Sequence, residues 1–276
     1  MITRSLTIDL HVHTNYSHDG HDSVKEILER AIAKKLDGIA ICDHDTMEGF
    51  YAARKYVAKT HSDLIIIPGI EVSTSKGHLL VLGIEDGIEK GLSPEETIRI
   101  ARQKEQEGNC TVFIIAPHPF HPFRHSIGNF CTHHGIDAIE TFNSRYITGI
   151  ANTIASRVAA RKAITAVAGS DAHSVECVGL ATVEVDVEAE HASEYEALLK
   201  SIKRPLFPWA EATLPFMYFA FGLCQWTALP TSFAASSFLF RPSTITIMWL
   251  LYCVVLPRLK LDMMPFIVVW EIRRGF

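Results

Sequence analysis

From Leu6 to Lys203 the chain alternates short apolar runs with amphipathic stretches, and this alternation sets the expected architecture. Leu6–His13, Gly38–Cys42, Leu64–Val72, His78–Ile84, Thr111–Ala116, Ile136–Phe142, Ile164–Gly169 and Ala181–Val187 are short and rich in β-branched residues, and predict strands. Leu64–Val72 is almost continuously apolar, as in a strand buried on both faces. Between the runs lie helical patterns. Ser23 with Glu26 three residues on forms a capping box that opens a helix running to about Leu36. Ser93 with Glu96 forms another, with Pro94 at the first helical position and the helix reaching about Glu107. Further helices are expected over Thr46–Lys59, Gly149–Lys162 and Ala192–Lys203. Strand–helix alternation of this length predicts a parallel sheet with helices outside, closed or nearly closed into a barrel.

The pattern stops near Arg204-Pro205. Ala212–Phe240 and Pro242–Pro257 contain no charged residue, while Pro215, Pro230, Pro242, Pro257 and Pro265 interrupt them. All 14 histidines precede residue 192, whereas the four tryptophans (Trp209, Trp226, Trp249, Trp270) all follow it. Two domains are therefore expected, a barrel over 1–205 and an apolar appendage over 206–276. The uncharged stretch of 29 residues, Ala212–Phe240, exceeds the roughly 20 that span a bilayer, so membrane association is one reading of the appendage. A divergent terminus outside the catalytic unit is the other, because prolines, Thr, Ser and Gln break the apolar run.

Charge and cysteine content narrow the function. A net charge of −5 offers no polybasic face for nucleic acid, so a phosphate-handling site would need local cations. Six cysteines (Cys42, Cys110, Cys131, Cys177, Cys224, Cys253) include no CxxC pair, which argues against a disulfide scaffold and a thiolate zinc site. With no apolar leader ahead of Asp9, a reducing cytoplasm is expected.

The histidines and carboxylates gather where predicted strands stop. Asp9-Leu10-His11-Val12-His13 ends the first strand, and simple alternation would put Asp9, His11 and His13 on one face. The following turn, Ser17-His18-Asp19-Gly20, adds two candidate ligands. Asp43-His44-Asp45-Thr46 ends the second strand, Gly69-Ile70-Glu71 the third, Pro117-His118-Pro119 the fifth and Glu140-Thr141-Phe142-Asn143 the sixth. His78 opens the fourth, and Gly169-Ser170-Asp171-Ala172-His173 ends the seventh. That end of a parallel barrel is its catalytic face. Mixed imidazole and carboxylate donors suit Zn²⁺, Mn²⁺ or Fe²⁺, and a carboxylate such as Glu71 can bridge two ions.

These motifs, in this order, resemble the PHP (polymerase and histidinol phosphatase) domain, particularly its stand-alone metal-dependent phosphoesterases, over about residues 7–203. The resemblance implies a distorted (β/α)7 barrel holding two or three divalent transition-metal ions. His11, His13, Glu71 and Asp171 would hold one ion. Glu71 would bridge to a second with His78 and His118, and Asp19, His44 and His173 would hold a third. Asp19 is preferred to His18 because it directly precedes Gly20. Such ions lower the pKa of a shared water and stabilise charge on a phosphoryl group, so no serine or cysteine nucleophile is needed.

Glu71, Asp171 and Arg145 are the expected catalytic residues, Arg145 as a bidentate phosphate clamp. His121 and Arg124 are further candidates of that kind. Asp45 and Asp9 are candidates for orienting ligand imidazoles, with a structural cap on the barrel end as the alternative for Asp9. His61, His125, His133, His134 and His191 have no motif and read as surface residues. The admissible substrates are phosphorylated small molecules, nucleotides and oligonucleotides. A metal-dependent amidohydrolase is the rival enzyme class, disfavoured because Glu71 stands where that class usually brings a lysine. A non-catalytic metal-binding accessory domain is the non-enzymatic alternative, and none of the nine expected ligands is lost.

Overall fold

The computed structural model describes residues 3–108, 110–146, 149–188 and 195–203. The expected appendage, 206–276, and His191 lie outside them. Among the described residues no helix is long and apolar enough to cross a membrane. The elements, in order, are β1 (Thr3–Val12), α1 (Val24–Ala33), β2 (Gly38–Ile41), α2 (Glu48–Thr60), β3 (Ile65–Thr74), β4 (Gly77–Leu82), α3 (Pro94–Gly108) and β5 (Phe113–Ala116). A 3₁₀ turn (Gly128–Thr132) that no sequence signal marked comes next, followed by β6 (Ala138–Asn143), α4 (Ile150–Lys162), β7 (Thr165–Gly169), β8 (Val183–Glu188) and α5 (Tyr195–Lys203).

Both start signals act locally. The Ser23 side chain accepts from Glu26 N while the Glu26 carboxylate reaches back to Ser23 N at 2.9 Å, which completes the capping box of α1. The second box is only half made. Ser93 Oγ accepts from Glu96 N, but the Glu96 carboxylate turns to Arg99 at 2.7 and 2.9 Å.

The eight strands form one sheet in the order β7-β6-β5-β4-β3-β2-β1-β8. It is nearly closed, because the chain just past β7 returns to β1 through a Val12–Ala172 bridge, with His13 N donating to Ala172 O at 2.8 Å. The barrel is therefore confirmed, but the sheet is mixed rather than parallel. β1–β2, β2–β3, β5–β6 and β6–β7 are parallel; β3–β4, β4–β5 and β1–β8 are antiparallel. Only Ser75 and Lys76 separate paired Thr74 and Gly77, which is too short for a helical crossover and long enough for a hairpin. Reversal of β4 brings its first residues, with His78, to the barrel end where the parallel strands finish.

Two apolar layers hold this frame. The outer layer packs Ile39 and Ile41 of β2, Ile70 and Val72 of β3 and Ile114 of β5 against Ile27, Leu28, Phe50, Ile98 and Ala155 of the helices. The inner layer fills the barrel with Leu6, Ile8, Leu10, Ile67, Leu80, Phe113, Val167 and Val185, plugged at one end by Leu198, Leu199 and Ile202 of α5. The polar site occupies the other end.

One irregularity decides which side chains reach that site. Asp9 pairs with Ile39 and Val12 with Ile41, so β1 carries one extra residue between them, a β-bulge. Ile39 and Ile41 belong to the outer layer, so Asp9 and Val12 face outward. Leu10 and His11 both take inward positions, and His13 follows. The expectation that Asp9 shares a face with His11 and His13 is thereby corrected.

Candidate metal centre

Glu71 stands at the middle of the site, fully buried, and divides its two oxygens between two sets of imidazoles. Oε2 lies 3.2 Å from His11 Nε2 and 3.1 Å from His13 Nε2. Oε1 lies 2.9 Å from His78 Nδ1 and 3.1 Å from His118 Nε2. Asp171 Oδ1 closes the first set, 3.8 and 3.7 Å from the same His11 and His13 nitrogens. Beside them, Asp19 Oδ2 is 2.9 Å from His173 Nε2 and Asp19 Oδ1 is 3.6 Å from His44 Nε2. The structure thus brings together all nine residues singled out as ligands. His18 is exposed, its ring 5.0 Å from that of His44 and within ion-sharing reach of Asp19, whereas Asp19 faces two imidazoles at closer range.

The donor set fits divalent metal. Four ligands at about 2.1 Å from a tetrahedral ion stand roughly 3.4 Å apart, close to the separations among His11, His13, Glu71 and Asp171. The other ring nitrogens of the first two histidines are already engaged. His11 Nδ1 lies 3.0 Å from Glu140 Oε1, and His13 Nδ1 lies 3.0 Å from Ser17 Oγ, which itself donates to Asp43 Oδ1 at 3.0 Å. These contacts assign the Nδ1 protons and turn both Nε2 lone pairs inward, 3.0 Å from each other. Facing lone pairs beside two carboxylates repel unless a cation, proton or metal, lies among them. Among the described residues, Asp19 Oδ1, His44 Nδ1, His118 Nδ1 and Asp171 Oδ1 are likewise buried without hydrogen-bond partners. Ligand atoms close enough to share an ion occur in four overlapping sets: His11/His13/Asp171, His13/His44/His173, His44/Glu71/His78 and His18/Asp19/His44.

Charge is distributed unevenly across the centre. Burial opposes a charge on His11, yet Asp171, Glu140 and Glu71 hold its pKa well above the ordinary value. Burial would raise Glu71 and Asp171, but the imidazoles, led by His11, pull both well below the carboxylate range. On the other flank burial dominates, lowering His44 to about 4 and His173 to about 3. Those two rings are neutral at pH 7 and ready as ligands.

The PHP domain profile matches residues 9–207 of this chain. The chain belongs to the PHP domain family. MJ1587, an uncharacterized protein of Methanocaldococcus jannaschii, is 38% identical over 157 residues, covering 53% of this chain and 87% of that one. Phosphoribosyl 1,2-cyclic phosphate 1,2-diphosphodiesterase of Eggerthella lenta is 38% identical over 85 residues, 29% of this chain and 31% of the enzyme, so the match spans under a third of it. Among solved structures, a two-domain Bacteroides vulgatus protein containing a predicted PHP-like metal-dependent phosphoesterase superposes with a TM-score of 0.58 at 18% identity. That match covers 74% of this chain and 64% of the other, and shows the shared fold.

Several residues of this PHP domain do work that sequence reasoning missed. Glu140, noted only as a strand end, backs His11 and also accepts His118 N at 2.7 Å and Asn143 Nδ2 at 2.9 Å. Gly169 leaves room for it, since a Cβ there would stand 2.4 Å from Glu140 Oε1 and 2.6 Å from His11 Cβ. Asp43 holds Thr14 N, Thr14 Oγ1 and Ser17 Oγ, and a Cβ on Gly49 would fall 1.8 Å from its Oδ2. Buried carboxylates at strand ends are the available signal, but their partners come from distant strands.

Asp9 and Asp45 do not orient imidazoles. Asp9 accepts from Ser170 N at 3.1 Å and Gly179 N at 2.8 Å, tying the segment after β7 to β1, so of its two readings the structural cap holds. Burial raises its pKa to about 6. Asp45 accepts Ser73 N at 2.7 Å and braces the end of β3. Both candidate arginines reach the centre: Arg124 is ion-paired to Asp171 Oδ2, and Arg145 Nη1 lies 3.6 Å from Asp171 Oδ1 and 2.8 Å from His173 Nε2. His121 packs edge-on against Tyr146, 4.5 Å between ring centres, rather than on a metal ligand. His61 ends α2, and His134 is exposed, as expected for surface positions. His125 is exposed too, though its ring stacks on His78 at 5.4 Å, and His133 stacks on Phe130 at 4.7 Å.

Proposed function

We propose that this chain hydrolyses phosphate esters with two or three divalent transition-metal ions, Zn²⁺, Mn²⁺ or Fe²⁺, held at the barrel end. The observation that carries the proposal is Glu71, whose two oxygens serve separate imidazole pairs, as a bridge between two ions requires. His11, His13, Glu71 and Asp171 would hold one ion, Glu71 with His78 and His118 a second, and Asp19, His44 and His173 a third. Bound ions supply an acidified water and neutralise charge on the phosphoryl oxygens.

The chain's own groups do the rest. Glu140 and the Asp43–Ser17 pair fix the tautomers of His11 and His13, so that their Nε2 lone pairs stay aimed inward. Asn143 Nδ2, 3.0 Å from Asp171 Oδ2, and Arg124 occupy one Asp171 oxygen, while the other makes no hydrogen bond among the described residues. Arg145, with its side chain 37% exposed against 21% for Arg124, is the arm better placed to swing onto a phosphate oxygen. Its loop is steadied by Asn143 Oδ1, which accepts Arg145 N at 3.0 Å. The proposal places catalysis in 1–205 and leaves 206–276 outside the catalytic unit.

The PHP membership and the phosphodiesterase relative support ester hydrolysis at phosphorus over amide hydrolysis. Two measurements test the reading. Elemental analysis of protein purified without chelator should give two or three ions per chain; fewer than one removes the multinuclear site. Metal-loaded protein should then hydrolyse members of a phosphate-ester panel, and hydrolysis of amides alone would reverse the assignment.

A further inference from the structure

Phe123 is 90% exposed, more than any other large apolar side chain described, and it directly precedes Arg124, which is ion-paired to Asp171. A lone exposed hydrophobic residue on a loose loop needs no explanation. This loop is not loose. His121 N donates to His118 O at 3.1 Å, Ser126 Oγ donates to the His118 and His121 carbonyls at 2.8 Å each, and Gly128 N donates to Pro119 O at 2.8 Å. Phe123 N in turn donates to His121 Nδ1 at 3.2 Å, and Pro122 fixes the backbone just before it. One end of the loop is therefore His118, and the residue after Phe123 is Arg124, which grips Asp171. Folding holds the ring in water, within one residue of a group that touches the centre.

The surroundings specify what would cover it. Phe123 meets His121 edge-on at 6.3 Å, and His121 meets Tyr146 edge-on at 4.5 Å. Tyr146 follows Arg145, so an aromatic row runs between two loops that each carry an arginine toward Asp171. A ligand matching this row has an anionic end for the arginines and metal ligands and a flat π-system for the ring. Because Phe123 projects outward while Glu71 and Asp171 are buried, the two ends must be separated by a spacer. A nucleotide has this shape, with phosphate, pentose and base in line. Aromatic side chains stack bases with little regard to sequence.

Resting on the phosphoesterase reading above, we propose that Phe123 is a specificity-determining platform that stacks the nucleobase next to the reacting phosphate, which makes nucleotides or nucleotide ends the substrate class. Removal of the ring should cost binding rather than chemistry.

The test compares adenosine 5′-monophosphate, ribose 5-phosphate and phenyl phosphate on the full-length, metal-loaded protein, by calorimetric binding and by phosphate release. Wild type should bind the nucleotide about ten-fold or more tightly than either other ester. Phe123→Ala should abolish that preference by raising KM for the nucleotide with kcat little changed, and Phe123→Trp should restore it. Equal affinity for all three in wild type, or a preference that survives Phe123→Ala, overturns the platform even if every ester is hydrolysed. A Phe123-dependent nucleotide preference in binding without any hydrolysis would instead overturn the phosphoesterase reading and leave the platform standing.

Discussion

The two ends of the barrel both gather charge, and they use it in opposite ways. At the end closed by α5, Arg102 donates to Glu105 at 3.0 Å, Val112 O at 3.1 Å, Gly135 O at 3.1 Å and Asp137 at 2.6 Å. Lys203 adds bonds to Glu105 at 2.9 Å and Val112 O at 3.0 Å. Donors face acceptors there, and the network is complete in itself. At the opposite end, ring nitrogens and carboxylate oxygens converge on Glu71, and among the described residues four buried polar atoms have no hydrogen-bond partner. A self-satisfied cluster stabilises the fold, whereas a convergent and incomplete one needs something bound.

Substitutions at each end should therefore separate stability from metal affinity. The largest effect is expected for Glu71→Gln, which removes the shared charge from both imidazole pairs. Turnover should fall at least about 10²-fold, and bound metal should drop by one ion or more by elemental analysis. Near wild-type turnover would show that Glu71 does not bridge. Glu140→Gln comes next, because it alters only the partner behind His11. Metal affinity should weaken about 10- to 100-fold in a chelator competition while the fold remains. Arg102→Ala inverts the pattern. It should lower unfolding free energy by about 1–3 kcal/mol in urea titrations and leave metal content unchanged. Lost metal in that variant would erase the distinction between the ends.

The smallest effect divides the centre itself. The raised pKa of His11, held up by Asp171, Glu140 and Glu71 against burial, favours a proton there in the metal-free protein. Its contribution to stability is complete below the unfolded value of 6.5 and is lost as pH rises through the higher folded value. His44 and His173, depressed to about 4 and about 3, contribute fully above 6.5 and lose that contribution as pH falls through those values. Metal uptake near pH 7 should then release protons from His11 and His78, whose pKa values neighbouring carboxylates raise, and none from His44 or His173. Calorimetry in buffers of different ionisation enthalpy measures the release. His11→Gln should lessen it and His173→Gln should leave it.

Much of this was legible in the chain. Each of the eight predicted strands and five predicted helices has its counterpart, because apolar period and capping chemistry are local. Strand ends also located the nine clustered residues, since ligands at sequence-adjacent positions such as His11 and His13, or Asp171 and His173, travel together. The reversal of β4 was hidden, because a run such as Gly77–Leu82 reads the same in either direction. The supports of the site were hidden for another reason. Glu140 meets His11 across 129 positions, and Asp43 meets Ser17 across 26, contacts that only the closed barrel creates. Asp9 misled because strict alternation takes no account of an inserted residue.

That inserted residue makes β1 a strand written in two phases. Before it, even-numbered side chains, Leu6, Ile8 and Leu10, fill the barrel; after it, the odd-numbered His11 and His13 do. A single strand can thus serve an oily interior and a polar rim without a loop between them. The same arrangement ties the two to one count. Strict pleating from Asp9 onward, with the extra residue kept but absorbed into regular alternation, would rotate the His-Val-His segment by half a turn. His11 and His13 would then exchange places with Val12, presenting a methyl surface to Glu71 and imidazoles to the helices, although every residue of the motif would still be present in the sequence.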